Sequence, residues 1–264
     1  MSFKVCTFLQ GCLLLFLATQ AFSLQNEEKW NGFYVGADMG SVLSKTKMQT
    51  SVAPGGTYFN YTQDAPEIAA AADDDLSERS FSGGIFGGYE RQFNHIVIGG
   101  EASFNTLSLN SSHSGYNTFT SDPSIQFATN ETLKANWEGT LRLKIGYAEN
   151  RWLVYLTGGP AMTNLEYTSS YSDDNSQLGL NLPGAYGSGT TSEMKYGWAL
   201  GAGGEYAFND NWFLQIQYLY SDFGTISTDY AITPTPTLSE FSSSMNSSAD
   251  LTIQSLLVGL IYRF

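Results

Sequence analysis

The sequence has little cysteine, little histidine and little positive charge. Its two cysteines, Cys6 and Cys12, lie close to the amino terminus, and there are only two histidines. Lys and Arg together number 12 against 25 Asp and Glu, which gives a formal net charge of -13. Because nucleic acid requires a basic footprint on its partner, this balance excludes nucleic acid as a ligand.

The amino terminus has the pattern of a signal peptide. Lys4 supplies a positive charge ahead of an uncharged, leucine-rich stretch. Ala21 and Ser23 fit an Ala-x-Ser cleavage site, so we predict a signal peptide over residues 1–23 and one mature domain over residues 24–264. Both cysteines are then removed, which excludes disulfides and cysteine-ligated metals in the mature protein.

The composition indicates a β-barrel that faces lipid. Aromatic residues make up 14% of the chain and charged residues only 14%, with no long apolar run beyond the leader. Alternation with period two, which sends successive side chains to opposite faces of a strand, recurs in eight segments. The eight segments are residues 32–42, 81–91, 96–105, 135–147, 152–163, 194–208, 212–220 and 251–264.

The connections between these segments alternate in length. Three are short turns, at residues 92–95, 148–151 and 209–211. Four are long and rich in Ser, Thr, Asn and Gly, at residues 43–80, 110–134, 164–193 and 224–250. The pattern predicts an all-β, transmembrane, antiparallel up-and-down barrel of eight strands, with short periplasmic turns, four long extracellular loops and periplasmic termini.

The aromatic residues indicate two interfacial belts, as a membrane-spanning barrel requires. The belt expected at the periplasmic rim consists of Trp30, Trp152, Trp212, Tyr206, Phe208, Tyr262 and Phe264. Trp137 and Trp198 are expected at the opposite rim.

Several motifs carry a resemblance to a known family. They are WNGFYVG at 30–36, LVYLTGG at 153–159, GAGGEY at 201–206, YLY at 218–220, DFG at 222–224 and GLIYRF at 259–264. With them the chain resembles the small outer-membrane porin-family proteins with an OmpA-like or opacity-type barrel, which include surface antigens of some alphaproteobacterial pathogens. The resemblance implies eight strands in a Gram-negative outer membrane. It also implies that Phe264, with Tyr262 on its face, is the signal read by the barrel-assembly machinery.

Charged residues on the predicted inward face form the candidate site. We single out Glu101, Glu138, Arg142, Lys144, Lys195 and Glu205, while Asp38, Glu90 and Arg263 face the same way. An eight-stranded barrel holds little more than its own side chains, so these charges are expected to pair. Similar heights favour Glu101 with Arg142 and Lys144 with Glu205. A salt-bridged plug is the favoured interpretation, and a narrow pore gated by exchanging pairs is the alternative.

Catalytic chemistry is not predicted. His113 lies between two serines, but a nucleophile and base also need an orienting group and a formed pocket. His95 and His113 fall on opposite rims and cannot share a metal ion. We therefore predict no catalytic, cofactor or metal site. The acidic run 73–75 follows an alanine-rich stretch that favours a short helix, and a solvated face is preferred over a divalent-cation site.

The expected function is structural support and surface display in the outer membrane, as an adhesin or a surface antigen. The alternative is a small, low-conductance porin, and a lipid-modifying barrel enzyme is not favoured. The expected partners are outer-membrane lipid and lipopolysaccharide, the barrel-assembly machinery, and a host-surface ligand bound through the loops.

Overall fold

A computed structural model describes residues 29–264 except residues 55, 60, 175–183 and 235–241. The predicted signal peptide, residues 1–23, lies outside the described residues. Among those described, no helix is both long enough and apolar enough to cross a membrane.

Eight long strands and one short helix make up the described chain. In chain order they are β1 Gly32–Val52, α1 Asp64–Ala72, β2 Asp74–Phe93, β3 Ile96–Thr118, β4 Gln126–Glu149, β5 Trp152–Asp173, β6 Tyr186–Ala207, β7 Trp212–Ile232 and β8 Ser243–Arg263. Each strand pairs antiparallel with the next, and β8 pairs with β1 to close the ring. The predicted fold class, an antiparallel up-and-down barrel of eight strands, is confirmed.

The three tight turns lie where the sequence places them. Residues 94–95 join β2 to β3, residues 150–151 join β4 to β5, and residues 208–211 join β6 to β7. Asn94 and Asn150 have positive φ angles of 56° and 53°. Asparagine tolerates this left-handed conformation better than most residues, because its short polar side chain makes local hydrogen bonds.

The strands extend far into the segments predicted as long loops. β1 has 21 residues and β4 has 24, whereas a membrane-spanning strand needs only about 9–11. The bounds predicted for the loops are therefore wrong, because strands include most of residues 110–134, 164–193 and 224–250 and, together with α1, most of residues 43–80. The barrel wall therefore continues well beyond the length that the lipid requires.

The reason is an inversion of polarity along each strand, which β8 shows clearly. Leu256, Val258 and Leu260 are exposed on its outer face. Farther from the tight turns, the buried inward residues Leu251 and Ile253 carry the apolar character, while the outward positions are polar. One half of the barrel thus has an apolar exterior for lipid, and the other half has an apolar interior, as a soluble barrel does.

A cluster of buried apolar residues forms the core of the second half. Its buried residues include Val42, Met48, Leu107, Leu109, Leu133, Leu165, Leu219, Phe223, Ile226, Leu251 and Ile253. α1 lies across the end of the barrel with Ile68 and Ala72 fully buried. Below it, Phe119, Phe127 and Tyr171 form a stacked aromatic layer. The barrel is closed by packed side chains at this end.

One outward assignment differs from the prediction. Trp30 does not join the periplasmic aromatic belt, because it is 1% exposed and packs inside the barrel end with its ring 5.1 Å from that of Phe213. The alternation of β4 is interrupted at Asn136 and Trp137, where the β4–β5 register shifts between Ala135 and Glu138. Trp152, Trp198 and Trp212 are exposed on the outer face as predicted.

Candidate functional site: a charge cluster in the barrel interior

The candidate site is a set of buried charges in the half of the barrel with the apolar exterior. Its members are Glu90 on β2, Glu101 on β3, Arg142 and Lys144 on β4, Glu205 on β6 and Arg263 on β8. They project inward from five of the eight strands. Glu101 lies directly opposite Arg142 in the β3–β4 ladder.

A glycine allows a second contact within the same wall. Lys144 lies opposite Gly99, and Gly99 lies opposite Glu90 on the next strand. A Cβ atom on Gly99 would lie 2.6 Å from Cγ of Glu90, so a larger residue would push Glu90 away. Because this position has no side chain, Lys144 reaches Glu90 across an intervening strand.

Lys144 is the centre of the cluster. Its Nζ atom lies 2.8 Å from Oε1 of Glu90, 2.8 Å from Oε1 of Glu205 and 3.3 Å from Oε2 of Glu101. Arg142 forms an ion pair with Glu101. The structure thus brings together both pairs expected from the sequence, Glu101 with Arg142 and Lys144 with Glu205.

Arg263 completes the set from the last strand. Its Nη2 atom lies 2.6 Å from Oε2 of Glu90 and 3.7 Å from Oε2 of Glu205. Three carboxylates therefore face three cations, all at most 3% exposed, and their formal charges cancel. Mutual neutralisation is what permits such burial, because an unpaired ion in a low-dielectric interior costs several kcal/mol.

Aromatic rings surround the cations. Nζ of Lys144 lies 4.3 Å from the ring centroid of Tyr155 and 5.1 Å from that of Tyr34. The guanidinium of Arg263 lies 4.9 Å from the Phe213 ring. The Tyr34 hydroxyl donates a hydrogen bond of 2.9 Å to Glu101. These contacts hold the charged groups in fixed positions and fill the space around them.

Two predicted members lie outside the cluster. Glu138 is buried, and its side chain forms a hydrogen bond with Ser221. Lys195 pairs instead with Glu193 on its own strand, with 2.8 Å between Nζ and Oε1. Both are partly exposed there, because the β6–β7 ladder ends at Trp198 and Asp222 and leaves the next part of β6 without a ladder partner on β7.

Another buried acidic residue, Glu131, lies apart from the charge cluster and was not predicted, because residues 110–134 were predicted as a loop. It lies on β4 beyond the outward Trp137, in the half of the barrel with the apolar interior. Its carboxylate accepts hydrogen bonds from Tyr167, Ser169 and Thr50. Burial raises the pKa of Glu131 to about 7, although these hydrogen bonds oppose the shift. Buried Phe127 and Leu133 share its face, and that alternation was the available signal.

His113 has a structural environment. Its Nδ1 atom lies 2.9 Å from Oδ2 of Asp74, and its Nε2 atom lies 3.0 Å from the carbonyl oxygen of Ala71. The side chain thereby ties β3 to the end of α1 and the start of β2. In the described part of the chain, no three His, Cys, Asp or Glu side chains are grouped so that they could hold a metal ion.

The contacts of the barrel interior hold its strands together. Trp30 and Phe213 pack below the charge cluster, and the apolar core lies above it. The cluster links five strands, β2, β3, β4, β6 and β8, through mutually neutralising contacts.

Comparison with known proteins agrees with this architecture. The family model "Outer membrane protein beta-barrel domain" matches residues 11–264. The chain is 34% identical over 197 residues to the 31 kDa outer-membrane immunogenic protein of Brucella melitensis, covering 74% of this chain and 72% of the relative. It is 24% identical over 202 residues to the 25 kDa outer-membrane immunogenic protein of Brucella abortus, covering 76% and 70%.

Two outer-membrane proteins are among the solved structures that match this chain. OprG of Pseudomonas aeruginosa matches with a TM-score of 0.41 and 11% identity, over 92% of this chain and 100% of that one. Neisserial surface protein A matches with a TM-score of 0.32 and 15% identity, over 88% and 97%. The family model and the Brucella relatives place the protein in the outer membrane among bacterial surface antigens, and the chain belongs to the outer-membrane protein β-barrel domain family.

Proposed function

We propose that this outer-membrane protein is a closed, non-enzymatic scaffold that displays the half of its barrel beyond the lipid at the cell surface. The observation that carries the proposal is the inversion of polarity, which continues the wall as a water-exposed barrel around an apolar core. The tight turns at the other end support an orientation with both termini in the periplasm.

Labelling of single cysteines in intact cells tests the orientation. The predicted mature chain has no cysteine, so each introduced thiol is the only one. Ser112→Cys lies on the outward, exposed face of β3 in the display half, and Arg151→Cys lies in a tight turn. A membrane-impermeant maleimide is expected to label Ser112→Cys in intact cells and Arg151→Cys only after lysis. The reverse pattern would contradict the orientation.

A conducting pore is less well supported by the same interior. Two successive barriers fill it, the neutral charge cluster and then the apolar core. Eight strands also leave an interior that side chains can fill, unlike the 16–18 strands of porins. The environment of His113, held by Asp74 and a backbone carbonyl, supports a structural rather than a catalytic role.

An adhesive role is proposed for the outer end of the barrel. A cleft of about 520 Å³ lies between the tips of β3, β4 and β5 and includes Tyr116, which is 75% exposed. Exposed tyrosines are frequent anchors in protein interfaces. Tyr116→Ser is expected to lower the binding of the purified protein to host cells. Tyr186→Ser, at a tyrosine 60% exposed on β6, is the control. Equal binding by both variants would exclude the cleft as the adhesive site.

We also propose that the barrel-assembly machinery reads the carboxyl terminus. Phe264 is 74% exposed, and its ring packs 5.3 Å from that of Tyr262 on the outer face. Phe264→Ser is expected to reduce the folded barrel recovered from cell membranes while refolding in detergent stays normal. Phe208→Ser, at the same rim, should assemble normally. Equal assembly of the two variants in cells would contradict the proposal.

A further inference from the structure

An unusual pair of cations lies on the outer face of the barrel where its apolar band ends. On β1 the outward residue Leu43 is followed by Lys45, and on β2 the outward residue Phe81 is preceded by Arg79. Arg79 lies directly opposite Leu43, and Lys45 lies directly opposite Ser77, one outward position farther along. Lys45 and Arg79 are therefore diagonal neighbours, within reach of each other's long side chains.

The residues directly opposite the two cations are neutral. Arg79 lies opposite Leu43, and Lys45 lies opposite Ser77 on one side and Thr252 on the other. The nearest acidic residues in these ladders, Asp75 and Asp250, lie one outward position farther along, directly opposite Lys47.

Two other cations in the half of the barrel with the apolar interior also have acidic partners. Lys134 forms an ion pair of 3.2 Å with Glu166, and Lys195 pairs with Glu193. Within the part of the chain that the structure describes, Lys45 and Arg79 form no ion pair.

The position of Lys45 and Arg79 on the barrel indicates which kind of ligand they bind. In an acidic protein, two adjacent unpaired cations concentrate positive charge at one point on the barrel circumference. Their hydrocarbon stems adjoin the lipid-facing residues Leu43 and Phe81, while the charged groups extend to the level of the lipid headgroups. In the orientation proposed above, both termini lie in the periplasm, so these headgroups belong to the outer leaflet. The lipopolysaccharide of that leaflet carries phosphates on its lipid A.

We propose that Lys45 and Arg79 form a binding site for a lipid A phosphate of the outer leaflet. The guanidinium of Arg79 offers two parallel N–H donors to phosphate oxygens, and the ammonium of Lys45 adds a point charge from the adjacent strand. The acyl chains of the same lipid lie against the apolar band below. The site rests on the proposed orientation, but its binding chemistry is measurable without it.

Titration of the refolded mature protein in zwitterionic detergent micelles with lipid A tests the site. Each juxtamembrane cation strengthens binding to an anionic lipid about fivefold, so Lys45→Gln with Arg79→Gln is expected to weaken binding about 25-fold. Lys134→Gln, which removes a cation already paired with Glu166, is the matched control and should change affinity less than about twofold. All substituted positions are exposed, and heat-modifiable gel migration verifies that each variant is folded.

Two further ligands separate the possible outcomes. Lipid A without phosphates should bind the unmodified protein as weakly as intact lipid A binds the double variant. Unchanged affinity of the double variant, or equal loss in Lys134→Gln, would overturn the site. Displacement of lipid A by equimolar inorganic pyrophosphate would overturn the assignment to a lipid. If cysteine labelling shows the reverse orientation while the double variant still loses about 25-fold in lipid A affinity, the proposed display is refuted and the phosphate site stands.

Discussion

Replacement of Lys144 by methionine is the sharpest test of the interior. Lys144→Met retains the length and apolar stem of the side chain but removes the cation that contacts Glu90, Glu101 and Glu205. Three carboxylates would then face only the two arginines, so the cluster changes from neutral to a formal charge of −1. Removing one partner of a buried ion pair costs about 3–5 kcal/mol, and we expect a loss in that range.

The assay is urea-induced unfolding in phospholipid vesicles, with the free energy extrapolated linearly to zero denaturant. A compensating variant makes the test specific to charge. Lys144→Met combined with Glu205→Gln again balances two carboxylates against two cations, so it should recover part of the lost stability. The reasoning is refuted if Lys144→Met changes stability by less than about 0.5 kcal/mol, or if the double variant is less stable than Lys144→Met alone.

Three further outcomes are expected, two from contacts in the barrel interior and one from the sequence of the leader. Arg142→Ala should destabilise the barrel less than Lys144→Met does, because Glu101 keeps Lys144 and the Tyr34 hydroxyl, and an unchanged urea midpoint would exclude the pairing. Because burial raises the pKa of Glu131 from 4.5 to about 7, the contribution of this group to stability should be fully present below about pH 4.5 and fall by about 3 kcal/mol as the pH rises to 7. Glu131→Gln should remove most of that fall, and unchanged pH dependence would show that Glu131 does not cause it. Mass spectrometry of the exported protein should find an amino terminus at Leu24, and an intact leader would contradict the predicted cleavage.

Alternation and the short turns together were sufficient to predict the number, order and direction of the strands. Period two is a direct consequence of strand geometry, and the short turns between alternating segments fix antiparallel neighbours. The predicted strands stopped too early because the prediction required apolar residues outward. Beyond residues such as Leu43 the same period continues with the apolar residues inward, as at Met48. These segments keep the period of two, but their apolar residues lie on the inner face and their polar residues on the outer face. They were therefore predicted as loops.

The interior site was partly within reach of the sequence. Glu101 and Arg142 are cross-strand neighbours, so similar distances from the periplasmic ends of their strands are enough to pair them. The contact of Lys144 with Glu90 depends on Gly99, a residue without a side chain on the intervening strand, and on the actual register. Trp30 was misplaced because a residue just before a strand has no alternation to fix its side, and its burial depends on the space beside Phe213.

The most direct test of the closed scaffold is single-channel recording of the refolded mature protein in a planar bilayer, with Arg142→Ala beside it. The neutral charge cluster and the apolar core predict a folded barrel that shows no discrete openings in either form. Discrete openings of the unmodified protein whose conductance changes in Arg142→Ala would contradict the closed interior and establish the barrel as a small porin.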